Sequence, residues 1–552
     1  MRIQTGSLTP VQIRDKTIRD LKTKNENDKI KAGIRESELQ EEIDALKRAR
    51  SGDGGTIAML QREIASLTAE NDALRSEIGA LNQKLAASGQ TIQKLMLILG
   101  KDSSNSSKPP STNGYRKIPN SRDKSLRPIG APKGHPGHRL KLPENLDELV
   151  ENGFAEKRIV DHTGGSEEYV SRWTLDVEVK TIVTEHRFAK DAALPKGMEN
   201  EVTYGDGIKA LTVLLSNEGI IAEDRLAGFF EEMTHGAISL SDATIENFSR
   251  QFANRLPDEL KAIENDLLSH NVMHVDDTPL DCTQKMQYGK PGEDPVLITA
   301  ENTTFTVYLR NYSNEQSTLY TVNPQKDQEG IERDGILPRY MHTLSHDHEA
   351  KFYNFGSAHA TCCGHLTRDL RGLHELENCP WAKDMRAFML EMNAHKNADL
   401  KNNISSCDKE QLHKYEEQYD ALLSEGRAAH SLLVKGELGE NSLKNMIARL
   451  TDYKDEYLLF MRDYEMPFTN NLSERDLRAS KTRLKVSGCF RSWEGVNANA
   501  KITGFVSTAK KRKRNILDSI ISIFKGIPVF AGSAVKTEMP APAGKADYQQ
   551  PA

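Results

Sequence analysis

Val272-Met-His-Val-Asp-Asp-Thr278 and Met341-His-Thr-Leu-Ser-His-Asp347 are short apolar runs that each end in an acid. Runs of this length read as buried strands, and together they place Asp276 and Asp347 at one edge of a sheet. Val296 to Ala300 and Thr304 to Arg310 read as the strands that follow the first. From about 381 to 464 the pattern is helical and charge-laced, and a last helical block opens near Asn470 with many cations. Carboxylates gathered at a sheet edge suit magnesium, which prefers hard oxygen ligands. Two such ions about 3.5–4 Å apart serve in-line displacement at phosphorus, and three acids are an economical way to hold them. Two strand-end aspartates do not establish this alone. The chain has 80 Asp and Glu, and ordinary turn aspartates are the default.

The block Met466-Pro-Phe-Thr-Asn-Asn-Leu-Ser-Glu-Arg-Asp-Leu-Arg-Ala-Ser-Lys-Thr-Arg-Leu-Lys-Val-Ser-Gly-Cys-Phe-Arg-Ser492 changes the balance. It resembles the insertion-sequence sixty-six family of bacterial transposases, whose last catalytic glutamate lies in N-N-x-x-E-R-x-x-R. Here that motif is Asn470, Asn471, Glu474, Arg475 and Arg478. Further segments agree in order. His274-Val-Asp-Asp-Thr-Pro279 looks like the first-aspartate strand, and His346-Asp347-His348 with Phe352-Tyr353-Asn354-Phe355 looks like the second. Cys363-Gly-His365-Leu-Thr-Arg368 resembles the cysteine–histidine–arginine element that follows. Asn105-Ser-Ser-Lys-Pro-Pro-Ser111 and Gly134-His-Pro-Gly-His138 match the linker, so the resemblance runs from the N-terminal helices to about residue 530.

The resemblance implies a multidomain α+β chain with a ribonuclease H-like DDE catalytic domain at 269–525. Asp276, Asp347 and Glu474 are its expected catalytic and metal-binding triad. Two Mg2+ ions are the expected cofactor, with Mn2+ able to substitute. The expected reaction is strand cleavage and strand transfer at the ends of an insertion sequence. Transposon-end and target DNA and small companion proteins are the expected partners. The intervals fit: 71 residues separate the two aspartates and 127 separate Asp347 from Glu474, the second gap filled mostly by the helical insertion at about 381–464. One departure stands out. Family members often carry paired cysteines after the linker, whereas Arg158-Ile-Val-Asp-His-Thr-Gly-Gly165 has none. His162 alone cannot build a four-ligand zinc site.

Outward from this centre, the N-terminal 1–100 is polar and helical. Leu60, Ile64, Leu67, Asn71, Leu74, Ile78, Leu81 and Leu85 follow alternating steps of four and three. That is a heptad seam with Leu at d and one Asn at a, which predicts a parallel two-stranded coiled coil between chains; the alternative is a helix packed on its own domain. Gly33 and the SGDGG stretch at 51–55 are expected to break any continuous rod. Residues 101–140 form a basic Pro/Gly/Ser-rich linker. Residues 141–200 are expected to be a small β-containing module without zinc ligands, from the alternation Thr174-Leu-Asp-Val-Glu-Val-Lys-Thr-Ile-Val-Thr184. A helical region at 201–268, with a helix capped at Ser241, reads either as a helix-turn-helix or as an ordinary hairpin. A tail occupies 526–552.

The net charge of −6 leaves DNA contact to local cations. The expected DNA-binding residues are Asn471, Arg475, Arg478, Lys481, Lys485, His365 and Arg368; a salt-bridged, solvated helix is the alternative. The run Lys510-Lys-Arg-Lys-Arg514 reads equally as phosphate contact or solvated charge. His274, His346, His348 and His365 read as groups that orient ligands or as satisfied core residues. The six cysteines lack C-x-x-C spacing and read as reduced thiols. No signal peptide or membrane span is read, so a cytoplasmic, nucleoid-associated location is expected. Two rival functions stay open: a non-catalytic DNA-binding or assembly protein, and a nuclease that cuts without joining.

Overall fold

The computed structural model describes residues 10–48, 54–102, 104–106, 141–162, 164, 167–191, 193–195, 197–289, 293–435 and 439–532. It divides into two compact units, 1–101 and 102–552. Among the described residues no helix is long and apolar enough to cross a membrane. Most of the linker, including Gly134–His138, lies outside the described residues, as does the tail beyond 532.

The first unit consists of α1 (Pro10–Arg48) and α2 (Gly54–Gly100). Gly33 does not break α1, contrary to expectation: the surrounding helix formers absorb its cost of about 1 kcal/mol. In α2 the seam residues Leu60, Ile64, Leu67, Asn71, Ile78 and Leu85 are half-buried, and Ile18, Asn25, Ala32 and Leu39 of α1 are half-buried at the same seven-residue period. Asn25 Nδ2 donates to Asn82 Oδ1 over 3.3 Å, and Arg75 lies 3.7 Å from Glu36. Those pairings run the two helices antiparallel, so within the chain the seam is met by α1. Leu74 and Leu81 stay 50% and 57% exposed.

In the second unit the described residues of the expected β module form no sheet. Residues 141–205 hold one short helix, α3 (Leu146–Glu151), and no strand among the described residues. Val177, Ile182 and Val183 are exposed; alternation makes a strand only where a neighbour takes up its backbone groups and covers one face.

Four helices follow: α4 (Asp206–Asn217), α5 (Glu223–Met233), α6 (Asp242–Ala253) and α7 (Pro257–Ser269). Ser241 caps α6 as expected, its Oγ accepting the Thr244 N–H. The connection from α5 to α6 spans 234–241, too long for the tight turn of a helix-turn-helix, and Ile245, Phe248 and Phe252 bury the inner face of α6 in the core. This is the ordinary hairpin.

The sheet comprises β1 (Val272–Cys282), β4 (Phe305–Ser313), β5 (Thr318–Asn323), β6 (Thr343–His346) and β7 (Ala358–Thr361) in the order β5-β4-β1-β6-β7. β4 runs antiparallel to both β1 and β5, and β6 and β7 run parallel to β1. The strand expected at 296–300 forms instead a separate ribbon of β2 (Gln284–Gln287) and β3 (Val296–Thr299). Helix α8 (Gln328–Asp334) links β5 to β6, and α9 (Cys363–Glu377) follows β7. The insertion is α10 (Pro380–Lys401), α11 (Lys409–Ser431), α12 (Glu440–Asp452) and α13 (Lys454–Arg462), with a core of its own around Trp381, Met385, Tyr419 and Tyr457. The chain returns through α14 (Asn471–Asp476), α15 (Arg478–Ser487), α16 (Trp493–Lys511) and α17 (Ile516–Phe524). Phe230, Phe252 and Ile263 from the helices before the sheet share one core with Met273, Val275, Tyr312, Phe505 and Ile520. Residues 201–268 therefore cover the sheet and do not fold apart from it.

Candidate active site

Register places the two aspartates. Strand β1 pairs with β6 in parallel, with Met273 opposite Leu344 and His274 opposite Ser345. Counted two residues on, that register brings Asp276 level with Asp347, which lies one residue past the end of β6 and close enough to act on the Asp276 carboxyl. Both are buried. Burial first, and then the neighbouring Asp347, push the Asp276 carboxyl up to about 8. Burial and the nearby Glu349 push Asp347 up to about 6. Like charges in a poorly solvated site resist joint ionisation. A divalent cation would relieve both terms.

The glutamate arrives on α14, which is fastened to the sheet by its preceding residue. Asn470 is buried; its Nδ2 donates to the Val275 carbonyl at 2.8 Å, and its Oδ1 lies 2.8 Å from His274 Nδ1. Its backbone N–H reaches Cys362 Sγ at 3.2 Å. One residue before Glu474, Ser473 Oγ donates to Asn311 Oδ1 at 2.6 Å, and Asn311 pairs with Asp276 across the sheet. Sequence reasoning gave Asn470 no role beyond its place in the motif; a buried asparagine of this kind shows itself only once its partners on β1 are known. The Glu474 carboxylate turns toward the start of α9: Oε1 is 3.8 Å from His365 Nδ1 and 3.5 Å from Arg368.

The fit to divalent cations can be read from unsatisfied atoms. Asp347 Oδ1 and Glu474 Oε1 are buried without a hydrogen-bond partner among the described residues, a state that costs free energy unless something binds there. Carboxylate oxygens are the donor set magnesium takes.

Asp277 points the other way, into an ion network. Arg310 Nε donates to Asp277 Oδ1 at 2.8 Å, Lys351 also pairs with Asp277, and Arg310 bridges to Asp334 at 2.5 Å. Both the Asp277 and Arg310 side chains are wholly buried, so breaking this pair costs stability.

The cations divide. Asn471, Arg475, Arg478 and Lys485 are exposed, and Lys481 is close enough to lower the affinity of Asp276 for its proton. Leu477 separates α14 from α15, so Glu474, Arg478 and Lys481 do not lie on one unbroken helix. Arg483 is spent on the Ser216 carbonyl. The 510–514 run is largely structural: Lys511 pairs with Asp476, Arg512 with Asp266 and Lys510 with Glu218.

Of the histidines, His274 meets Asn470, His346 lies beside His359 and His348 meets Tyr353. These three are satisfied neighbours, and burial holds them at about 4, 3 and 4. The cysteine of the cysteine–histidine–arginine element is corrected by one residue. Cys362 lies beside His365 and Glu474, while Cys363 faces the Thr361 and Tyr457 carbonyls within the insertion core.

Fold and site together define an α+β domain centred on buried carboxylates and edged by exposed cations. The sequence model of the Transposase IS66 family matches residues 201–498, more than half of the chain, and the chain belongs to that family. A family of unknown function (DUF6444) matches residues 26–141. An uncharacterized protein y4jO of Sinorhizobium fredii (strain NBRC 101917 / NGR234) is 37% identical over 73 residues, 13% of this chain and 23% of the relative. The chain thus matches about a quarter of that curated relative's length. Among solved structures, the Mos1 mariner paired end complex with Mn is 14% identical over 30% of this chain and 57% of that one, with a TM-score of 0.10. The Mos1 Strand Transfer Complex is 13% identical over 48% and 79%, with a TM-score of 0.09. Superpositions this slight define neither fold nor chemistry.

Proposed function

We propose that this protein is a DDE-type transposase with a ribonuclease H-like catalytic domain, which cuts DNA at the ends of an insertion sequence and joins those ends to a target. The observation that carries the reading is the parallel β1–β6 register, which brings Asp276 level with Asp347 at the end of β6, while Glu474 follows on a helix whose preceding residue, Asn470, is bonded to the Val275 carbonyl. Asp276, Asp347 and Glu474 would hold two Mg2+ ions, or Mn2+ in their place, and when bound these supply charge neutralisation for in-line displacement at phosphorus.

The protein's own residues do the rest. The strand-held aspartates and the buried Asn470 anchor hold the carboxylates in a rigid frame, so little reorganisation is needed when substrate arrives. Asn471, Arg475, Arg478 and Lys485 face solvent and would take phosphate oxygens, with His365 and Arg368 beside Glu474 and Lys481 near Asp276. In the first reaction water displaces the 3′ oxygen at the transposon end; in the second the freed 3′ hydroxyl attacks a target phosphodiester, joining to its 5′ phosphate and releasing the target's own 3′ hydroxyl. Assembly through the N-terminal helices and with companion proteins belongs to the same reading.

The test is incubation of the full chain with the element's own end DNA, target DNA and magnesium, with cleaved and joined strands mapped separately. Joined products establish the transposase. Cleavage without joining supports the nuclease, and binding without either supports an assembly protein.

A further inference from the structure

Cys362, His365 and Glu474 bring a sulfur, an imidazole nitrogen and a carboxylate oxygen within 4.8 Å of one another. Cys362 is the N-cap of α9 and His365 lies in its first turn, a spacing that puts both at one end of the helix. Glu474 comes from α14, whose start is fastened to Cys362 by the Asn470 N–H. His365 Nδ1 and Glu474 Oε1 are both buried with no hydrogen-bond partner among the described residues, although they face each other at 3.8 Å. An imidazole and a carboxylate left unbonded at that separation suit an ion between them better than a contact between themselves.

We propose that Cys362, His365 and Glu474 form a site for a soft divalent cation of the zinc class, distinct from the magnesium site and sharing Glu474 with it. Zinc bonds of about 2.3 Å to sulfur and 2.0–2.2 Å to nitrogen and oxygen place tetrahedral ligand atoms about 3.3–3.7 Å apart. The imidazole and carboxylate are already near that separation, so modest closing of side chains completes three corners and leaves the fourth open. Thiolate and imidazole select zinc over magnesium. Arg368, 3.5 Å from Glu474 Oε1, is the cation that holds this carboxylate when no metal does, and it must swing aside. Because Glu474 is claimed by both sites, zinc draws it away from the aspartates and opposes magnesium-dependent chemistry. That consequence rests on the transposase reading; the site itself does not.

The test titrates the full, metal-free chain with Zn2+ against a chromophoric chelator, and with Co2+ to look for the near-ultraviolet charge-transfer band that a thiolate ligand gives. The expected result is one tight ion per chain and a band that survives Asp276→Asn/Asp347→Asn. Cys362→Ser should abolish the band, and His365→Gln should weaken binding by about 100-fold or more, beyond the loss typical of groups that only orient a ligand. Should buried Cys362→Ser fail to fold, His365→Gln decides on its own. No band, unchanged affinity in His365→Gln, or loss of the ion on removing the aspartates would overturn the proposal. Zinc binding without end cleavage would refute the transposase reading alone, and cleavage without zinc binding would refute this site alone.

Discussion

Asp276 and Asp347 reach one place because a parallel register leaves them level, whereas Asp277, one bond further along, reaches the opposite face and the Arg310 network. The two neighbours should respond oppositely to the same change. Asp276→Asn removes a buried charge that burial and Asp347 both disfavour, so the metal-free protein should melt higher than wild type. Asp277→Asn leaves Arg310 short of a buried partner and should cost about 3–5 kcal/mol. Calorimetry of the two variants without metal checks both; the reverse order would mean the strand faces are misassigned. The aspartates themselves were legible from strand-ending runs and the glutamate from its motif. Cys362 was not, because adjacent cysteines at a helix start point in different directions and only the fold says which faces the acids. Nor was the burden on Asp277, since Arg310 lies 33 residues away in sequence.

At the scale of elements, β1, β4, β6 and the helical insertion could be read because each is a long run or ends at a motif. Strands β5 and β7 were missed: β7 is 4 residues long and neither ends in a chemical landmark. In the 158–190 segment the alternation is real, but its described residues pair with no neighbouring strand. In α1, Gly33 has open space where a Cβ would sit, so Gly33→Ala should stabilise the hairpin by about 0.5–1 kcal/mol, read from the helical melting transition of the full chain. No gain there would place Gly33 outside a regular helix. In the insertion, Lys396 donates to the Phe460 and Met466 carbonyls, and burial lowers its pKa from 10.5 to about 8. A lysine depressed on folding binds fewer protons folded than unfolded between those values. Stability contributed by the insertion should therefore rise from pH 8 toward 10.5 and stay flat below that window. Denaturant midpoints at both ends of the window, compared with Lys396→Met, should show the rise in wild type alone.

For the whole molecule, the proposed DNA contact of an acidic chain draws, among the described residues, on the exposed cations at the end of α14 and along α15. Binding to end DNA should weaken steeply with salt, and Arg478→Ala should lower the slope of log affinity against log salt by about one. An unchanged slope and affinity would remove Arg478 from the interface. The covering of the sheet by α4–α7 was not legible as such, because amphipathic helices read alike whether they form their own domain or face a neighbouring sheet. The central claim concerns three acids, and it is tested most directly by strand mapping of Asp276→Asn, Asp347→Asn and Glu474→Gln on end DNA with magnesium, beside a direct binding assay. The account predicts that each variant loses cleavage and joining together while still binding DNA. Wild-type joining by any one of the three would contradict it.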